Sequence, residues 1–221
     1  MEKTTEASPA PREQCYTCRR VKKHCLCGSV KPFDTRTRFV ILMHEEEAKR
    51  QRTGTGRLAR LCLTNAELLV GVDFSGNGRV NALLADPAYE PFVLYPGPQA
   101  VSFKTLRGAL PAGKAPLIFV IDGTWRTAKS LLNKSRNVRA LPRLSFDGSY
   151  LSRFRIKRQP REYCVSTIEA IYYLCKEAEE AGYERTGGRK EALMSVFGEL
   201  VDIQLGYARA HHRRREDSRR G

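Results

Sequence analysis

Long apolar runs are missing from this 221-residue chain: nothing approaches the roughly 18 consecutive residues needed to span a bilayer. The opening stretch, MEKTTEASPAPREQ, has no signal-peptide core and carries acidic residues unsuited to a transit peptide, so a cytoplasmic protein is expected. No Gly-x4-Gly-Lys-Ser/Thr loop occurs, which excludes a P-loop enzyme, and no internal repeat suggests a solenoid. The cysteines number seven, an odd count that argues against a disulfide framework in such a chain. Acidic residues are scarce, 24 against 39 lysines and arginines, for a net charge of +15. The stretch from Arg209 to Gly221 contributes +4 and Met1–Thr35 contributes +3, so +8 remains on the body. A basic body with a pI near 9.8 is the footprint of a polyanion binder, most often a nucleic acid. No basic amphipathic helix with an aromatic face points to a membrane surface instead.

What is present suits one α/β domain with small appendages: 41% hydrophobic and 29% charged residues over a length that supports a real core. The organising stretch is Leu117–Leu132, LIFVIDGTWRTAKSLL. Leu117–Ile121 reads as a strand covered on both faces, and Arg126 to about Lys134 as a helix. Between them stand Asp122, Gly123, Thr124 and Trp125, the only tryptophan. Open α/β sheets place their ligands at such a strand end. Asp122 is therefore either an active-site group or merely the cap of the next helix.

Met1–Gln14 is expected to be a flexible lead and 15–35 a zinc knuckle. Cys15-x2-Cys18 and Cys25-x-Cys27, six residues apart, can offer four thiolates to one tetrahedral zinc. The second pair is one residue tighter than common ribbon spacing, and His24 is an alternative ligand. Four protein ligands leave no open position, so the metal is expected to be structural. Lys22, Lys23 and Lys31 make the knuckle an RNA-contacting surface as well.

Within the body, 36–208, Arg36–His44 reads as the first core strand, with His44 a capping residue more readily than a catalytic one. Gly54-x-Gly56-x-x-Ala59 stands too far past that strand to be a dinucleotide fingerprint, yet a Gly/Thr turn flanked by Arg57 can hold a phosphate or carboxylate. A helix is expected over Leu58–Leu69, a strand over Pro91–Tyr95, a helix over Ala100–Leu110 and a short irregular strand over Ala140–Phe146. Val70–Asn81 is ambiguous. Tyr150–Arg161 alternates rings and apolar residues with Arg153, Arg155, Lys157 and Arg158, as expected of a loop that grips phosphates and stacks on bases. Ser166 or Thr167 caps a helix to about Gly182, with Glu169 completing a capping box. A last helix over Lys190–Tyr207 precedes a basic tail, 209–221. Cys62, Cys164 and Cys175 read as buried packing residues. Alternating strands and helices predict a mostly parallel sheet.

Several of these blocks together resemble the DTW-domain family, and within it the bacterial tRNA-uridine aminocarboxypropyltransferases. They are Asp122-Gly-Thr-Trp125, the cysteine set, Thr53–Leu58 after His44, Leu94-Tyr-Pro96, Arg155–Pro160 and Ser166–Ala170, in order from Cys15 to Tyr173. The resemblance implies a SPOUT-like S-adenosylmethionine-binding domain with a carboxyl-terminal knot. It also implies transfer of the 3-amino-3-carboxypropyl group to N3 of a uridine in the tRNA variable loop. Asp122, Thr124 and Trp125 would be catalytic. The cofactor loops would comprise Tyr95, Pro96, Gly97, Ile121, Asp122, Gly123, Leu141, Pro142, Ser166, Thr167 and Glu169. Arg57, Arg126, Lys129, Arg153, Arg155, Lys157 and Arg158 would hold tRNA, and no DNA partner is implied. Gly54 departs from the asparagine many relatives carry. A SPOUT-like methyltransferase and a non-catalytic zinc-containing RNA binder are the rival readings. A monomer is the default.

Overall fold

The computed structural model describes residues 13–50, 54–154 and 164–220, with side chains described except at Arg50 and 211–220. The elements are β1 (Arg38–His44), α1 (Glu45–Arg50), α2 (Thr55–Cys62), β2 (Glu67–Gly71), α3 (Gly78–Ala85), β3 (Tyr89–Leu94) and β4 (Ala115–Asp122). They continue as α4 (Trp125–Lys134), α5 (Arg136–Arg139), β5 (Arg143–Leu144), α6 (Thr167–Glu180) and α7 (Glu191–Arg220).

The five strands form one sheet in the order β2-β1-β4-β3-β5, every pair parallel. Parallel strands need crossovers, and helices on both faces bury them, which is why β1 and β4 read as near-continuous apolar runs. Side chains alternate between the faces. Phe39 and Ile41 of β1 and Ile118 and Val120 of β4 join Leu58, Ile168, Ile171, Leu174 and Phe197 in a core shared with α2, α6 and α7. Val40, Leu42, Leu117 and Phe119 point the other way, into a cluster with Val80, Leu83, Leu131, Leu132 and Val138 from α3, α4 and α5. The result is three layers.

The chain leaves β1 toward β2 at one edge and leaves β4 toward β5 at the other. Neighbouring strands whose connections part in this way open a crevice at their carboxyl ends. Met43 lies beside Asp122 in the β1–β4 register, so that crevice falls at Asp122.

Four local expectations are corrected. The helix expected over Leu58–Leu69 begins at Thr55 and stops at Cys62, and Glu67–Leu69 are strand. Tertiary anchors end it: Phe33 N–H donates to Cys62 O, Thr64 N–H donates to Phe33 O, and the Asn65 amide donates to Thr35 O. Ala100–Leu110 forms turns, with one helical-type bond from Leu106 N–H to Ser102 O; Val101 instead bridges Leu144. The strand expected over Ala140–Phe146 shrinks to Arg143–Leu144, an edge strand entered through Pro142, whose carbonyl accepts Val93 N–H. Finally, α7 continues past Tyr207 to Arg220 without a break. Cys62, Cys164 and Cys175 are buried as expected, and burial pushes the Cys62 thiol up to about 12.

Candidate active site

Alternation along β4 turns Asp122 toward the face of Ile118 and Val120, under α2 and α6, where it is only 5% exposed. Its Oδ1 accepts a hydrogen bond from Thr167 Oγ1 at 2.6 Å. Thr167 is the first residue of α6, and hydrogen bonds to a charged acceptor contribute about 1.5–3 kcal/mol. The other flank is Gly56, in the first turn of α2. A Cβ there would lie 2.5 Å from Asp122 Oδ2, 2.9 Å from its Cγ and 3.3 Å from Ile41 Cγ2. The Gly/Thr turn thus abuts a carboxylate of the chain itself. The first turns of α2 and α6 both lie against it.

Asp122 does not cap α4. Thr124 does: its Oγ1 accepts Thr127 N–H at 3.3 Å, and Thr127 Oγ1 donates to Thr124 O at 3.0 Å. Gly123 has its own reason, since a Cβ there would meet Thr127 Oγ1 at 2.7 Å. Trp125 opens α4 and is 45% exposed, so it is not packed under the helix. Its indole N–H donates to Cys164 Sγ at 3.1 Å, and its ring meets Tyr95 edge-on at 6.2 Å. Arg143 stands over the Tyr95 ring at 5.5 Å and donates to Pro96 O at 3.4 Å. Gly97 lies beside it, where a Cβ would come within 2.5 Å of Arg143 Nη1, the movable end of that side chain. Tyr95–Gly97, Asp122–Trp125, Arg143 just after Leu141 and Pro142, and Cys164–Thr167 thus gather at the carboxyl edge of the sheet. Ile121 points to the α4 side.

Glu169 is fully buried and closes the expected capping box, with Ser166 N–H and Oγ donating to it at 2.8 and 2.7 Å. It also accepts Ser152 Oγ at 2.9 Å and Arg153 N–H at 2.6 Å. Its carboxylate is taken up by the chain's own donors, and its effect is to tie the segment entering the basic loop to the start of α6.

His44 falls on the opposite face. Its Nδ1 accepts Glu46 N–H at 3.2 Å, capping α1 as expected, and it lines a cleft of about 320 Å³ with Glu46, Lys49, Arg126 and Lys134. Arg126 there pairs with Glu46 at 3.2 Å, an exposed pair worth at most about 1 kcal/mol. Lys129 and Arg153 are exposed and Arg57 half-buried. Arg155, Lys157 and Arg158 lie outside the described residues. Gly56 belongs to the turn that the sequence marks as able to hold an anion, whereas nothing in the sequence points to Arg143 or Cys164. Both are brought in from distant segments by the fold.

Far along the chain from this edge, the four knuckle thiols form one cluster. Cys15 and Cys27 sulfurs stand 3.7 Å apart, Cys18 and Cys25 3.8 Å, and all four lie within 4.8 Å of one another. A tetrahedron with arms of about 2.3 Å has edges of about 3.8 Å, so the set fits a thiolate-bound metal. Backbone N–H groups of Cys18 and Thr17 hold the Cys15 thiol down at about 6, whereas burial pushes Cys27 up.

The DTW domain model matches residues 12–205, nearly the whole chain. The chain belongs to the DTW-domain family. A mouse protein named tRNA-uridine aminocarboxypropyltransferase 2 is 28% identical over 197 residues, 88% of this chain and 64% of its own length. A Macaca fascicularis protein of the same name is 27% identical over the same shares. A third, from Drosophila melanogaster, is 29% identical over 215 residues, 94% of this chain and 81% of its own. The chain thus spans just under two thirds of the mouse and macaque relatives. No solved structure matches it.

Proposed function

We propose that this DTW-domain chain is a tRNA-uridine aminocarboxypropyltransferase that uses S-adenosylmethionine as donor and N3 of a variable-loop uridine as acceptor. The names of the mouse, macaque and fly relatives support the reaction class. The observation that carries the reading to residues is the buried Asp122 carboxylate, held between Thr167 and Gly56 at the sheet's switch point. Uridine N3 is a poor nucleophile while protonated, and a fixed carboxylate is suited to take that proton. The Thr167 hydroxyl donates to Oδ1, which holds the carboxylate in place as an acceptor. The N3 lone pair then forms a bond to the γ-carbon of the transferred group, the carbon–sulfur bond breaks, and the pair returns to sulfur. Methylthioadenosine leaves as a neutral thioether, so positioning supplies most of the rate.

The ring pair Tyr95 and Trp125 offers a face for a nucleobase or the adenine, with Pro96–Gly97, Leu141–Pro142 and Ser166 around the donor. Arg57, Arg126, Lys129, Arg153 and the 155–158 basic residues would hold the tRNA backbone. The domain would be SPOUT-related with a knotted carboxyl-terminal region, the enzyme cytoplasmic, and the knuckle a structural zinc site.

Incubation with tRNA and S-adenosylmethionine, followed by nucleoside mass spectrometry, tests this. The expected products are an aminocarboxypropyl-uridine and methylthioadenosine, both lost in Asp122→Asn with tRNA binding nearly intact. S-adenosylhomocysteine among the products would instead mean methyl transfer. Full activity of Asp122→Asn would remove Asp122 as the base.

A further inference from the structure

The knuckle and the distal part of α7 are far apart in sequence yet adjacent in space. Leu26, 2% exposed, is built into the core cluster that contains Leu200 and Val201 of α7. Ser29 Oγ donates to Glu199 Oε2 at 2.5 Å, and the His24 ring meets the Tyr207 ring edge-on at 5.0 Å. The two elements therefore hold a fixed relation at Tyr207, and α7 runs 13 residues beyond it, about 20 Å at the helical rise.

The chemistry of both parts is the same. A zinc held by four thiolates carries net charge −2 and would repel a polyanion. The knuckle answers with Arg19, Arg20, Lys22, Lys23 and Lys31 against the single acid Glu13 within 13–31. Arg19, Lys22 and Lys23 are exposed; the Lys22–Glu13 pair is a surface contact of small energy. Across the His24–Tyr207 contact, α7 carries Arg209, Arg213, Arg214, Arg215, Arg219 and Arg220 against Glu216 and Asp217. Two aromatic rings stand open in these same segments, Tyr16 at 89% and Tyr207 at 43% exposure. Open rings among cations suit RNA, whose unpaired bases stack on rings while its phosphates meet the charges.

We propose that the knuckle and the distal half of α7 form one RNA-docking surface, separate from the Asp122 edge, that grips the tRNA backbone and stacks an unpaired base. The choice of tRNA rests on the transferase reading; the surface itself does not.

The test is tRNA binding by the full chain, without S-adenosylmethionine, across a salt series. Lys22→Ala with Lys23→Ala is expected to lower affinity several-fold at about 150 mM salt and to flatten the log–log slope by about 1.5. Arg213→Ala, Arg214→Ala and Arg215→Ala together are expected to flatten it by about 2. Tyr16→Ala should weaken binding with the slope unchanged, and turnover at saturating tRNA should stay at the parent rate in all three. Retained zinc and circular dichroism separate these losses from misfolding; a misfolded variant is replaced by tRNA protection of Tyr16 and Tyr207 against hydroxyl-radical oxidation in the parent chain. Affinity and slope unchanged in both charge variants, or rings left unprotected, would overturn the proposal. Flattened slopes with no transfer activity would sink the transferase reading and leave this surface standing.

Discussion

At the scale of single residues, the position that most constrains the candidate site is one with no side chain. Gly56 lets the first turn of α2 approach Asp122 so closely that a methyl group would overlap both Oδ2 and Cγ. Glycine to alanine in a helix ordinarily gains up to about 1 kcal/mol. Here overpacking of about 1–3 kcal/mol opposes it, since the next neighbour after the carboxylate is the fully buried strand residue Ile41. Gly56→Ala is therefore expected to lower kcat about a hundredfold with KM for tRNA little changed, because it shifts the carboxylate and not the RNA surface. A steady-state comparison with the parent chain reads this; a KM effect at constant kcat would move Gly56 out of the positioning role. The residue-level contrast between Asp122 and His44 follows from strand alternation alone, since one belongs with Val120 and the other with Leu42. What alternation does not give is the Thr167 hydroxyl, 45 positions away, or the Trp125–Cys164 bond.

Among elements, the amino half of the sheet is fastened by a carboxylate that three elements share. Glu67 of β2 accepts from Arg38 of β1 and from Arg79 of α3, the latter at 2.5 and 2.8 Å. Hydrogen bonds from Arg79 and then Arg38 hold its carboxyl well down, to about 2. A depressed folded-state pKa means stability that is full above the ordinary glutamate value near 4.5 and drains away as pH falls toward 2. Glu67→Gln should thus lower the melting temperature by a few degrees at pH 7 and narrow its gap to the parent between pH 4.5 and pH 2. A gap independent of pH would mean the pair contributes nothing. The elements legible in the sequence were those whose pattern is decided locally: β1 and β4 by their apolar runs, α4 by its apolar stripe, α6 by the capping box. The end of α2 was not, because LARLCLTNAELL suits a helix throughout. Phe33 and Thr35, some 30 residues earlier, hold Cys62, Thr64 and Asn65 and stop it. The turns at 100–110 were missed for a like reason, since Val101 is claimed by Leu144 and Gly108 takes φ +77°, where a helix cannot continue.

For the whole molecule, the knuckle is an integral part of the body, because Leu26 and Phe33 belong to the same buried cluster as β1 and β4. Metal analysis of the purified chain is expected to give one zinc per molecule, and Cys27→Ser to give a substoichiometric content with a lower melting temperature. A metal-free chain of parental stability would exclude the structural-zinc reading. The order of the strands carries one more consequence, and it concerns how the chain is made. Strand β4 lies between β1 and β3, and both are synthesised before it. Arg38 waits for Leu117, 79 positions later, so the apolar edge of β1 stays open while that length leaves the ribosome. Non-local parallel pairing of this sort is slow and exposes sticky intermediates. Insertion of β4 closes two open edges in one step, and the strand that performs it is the one that ends in Asp122. Substitutions in Leu117–Ile121 would therefore be felt first as lost soluble yield in the cell, before any effect on turnover is measurable.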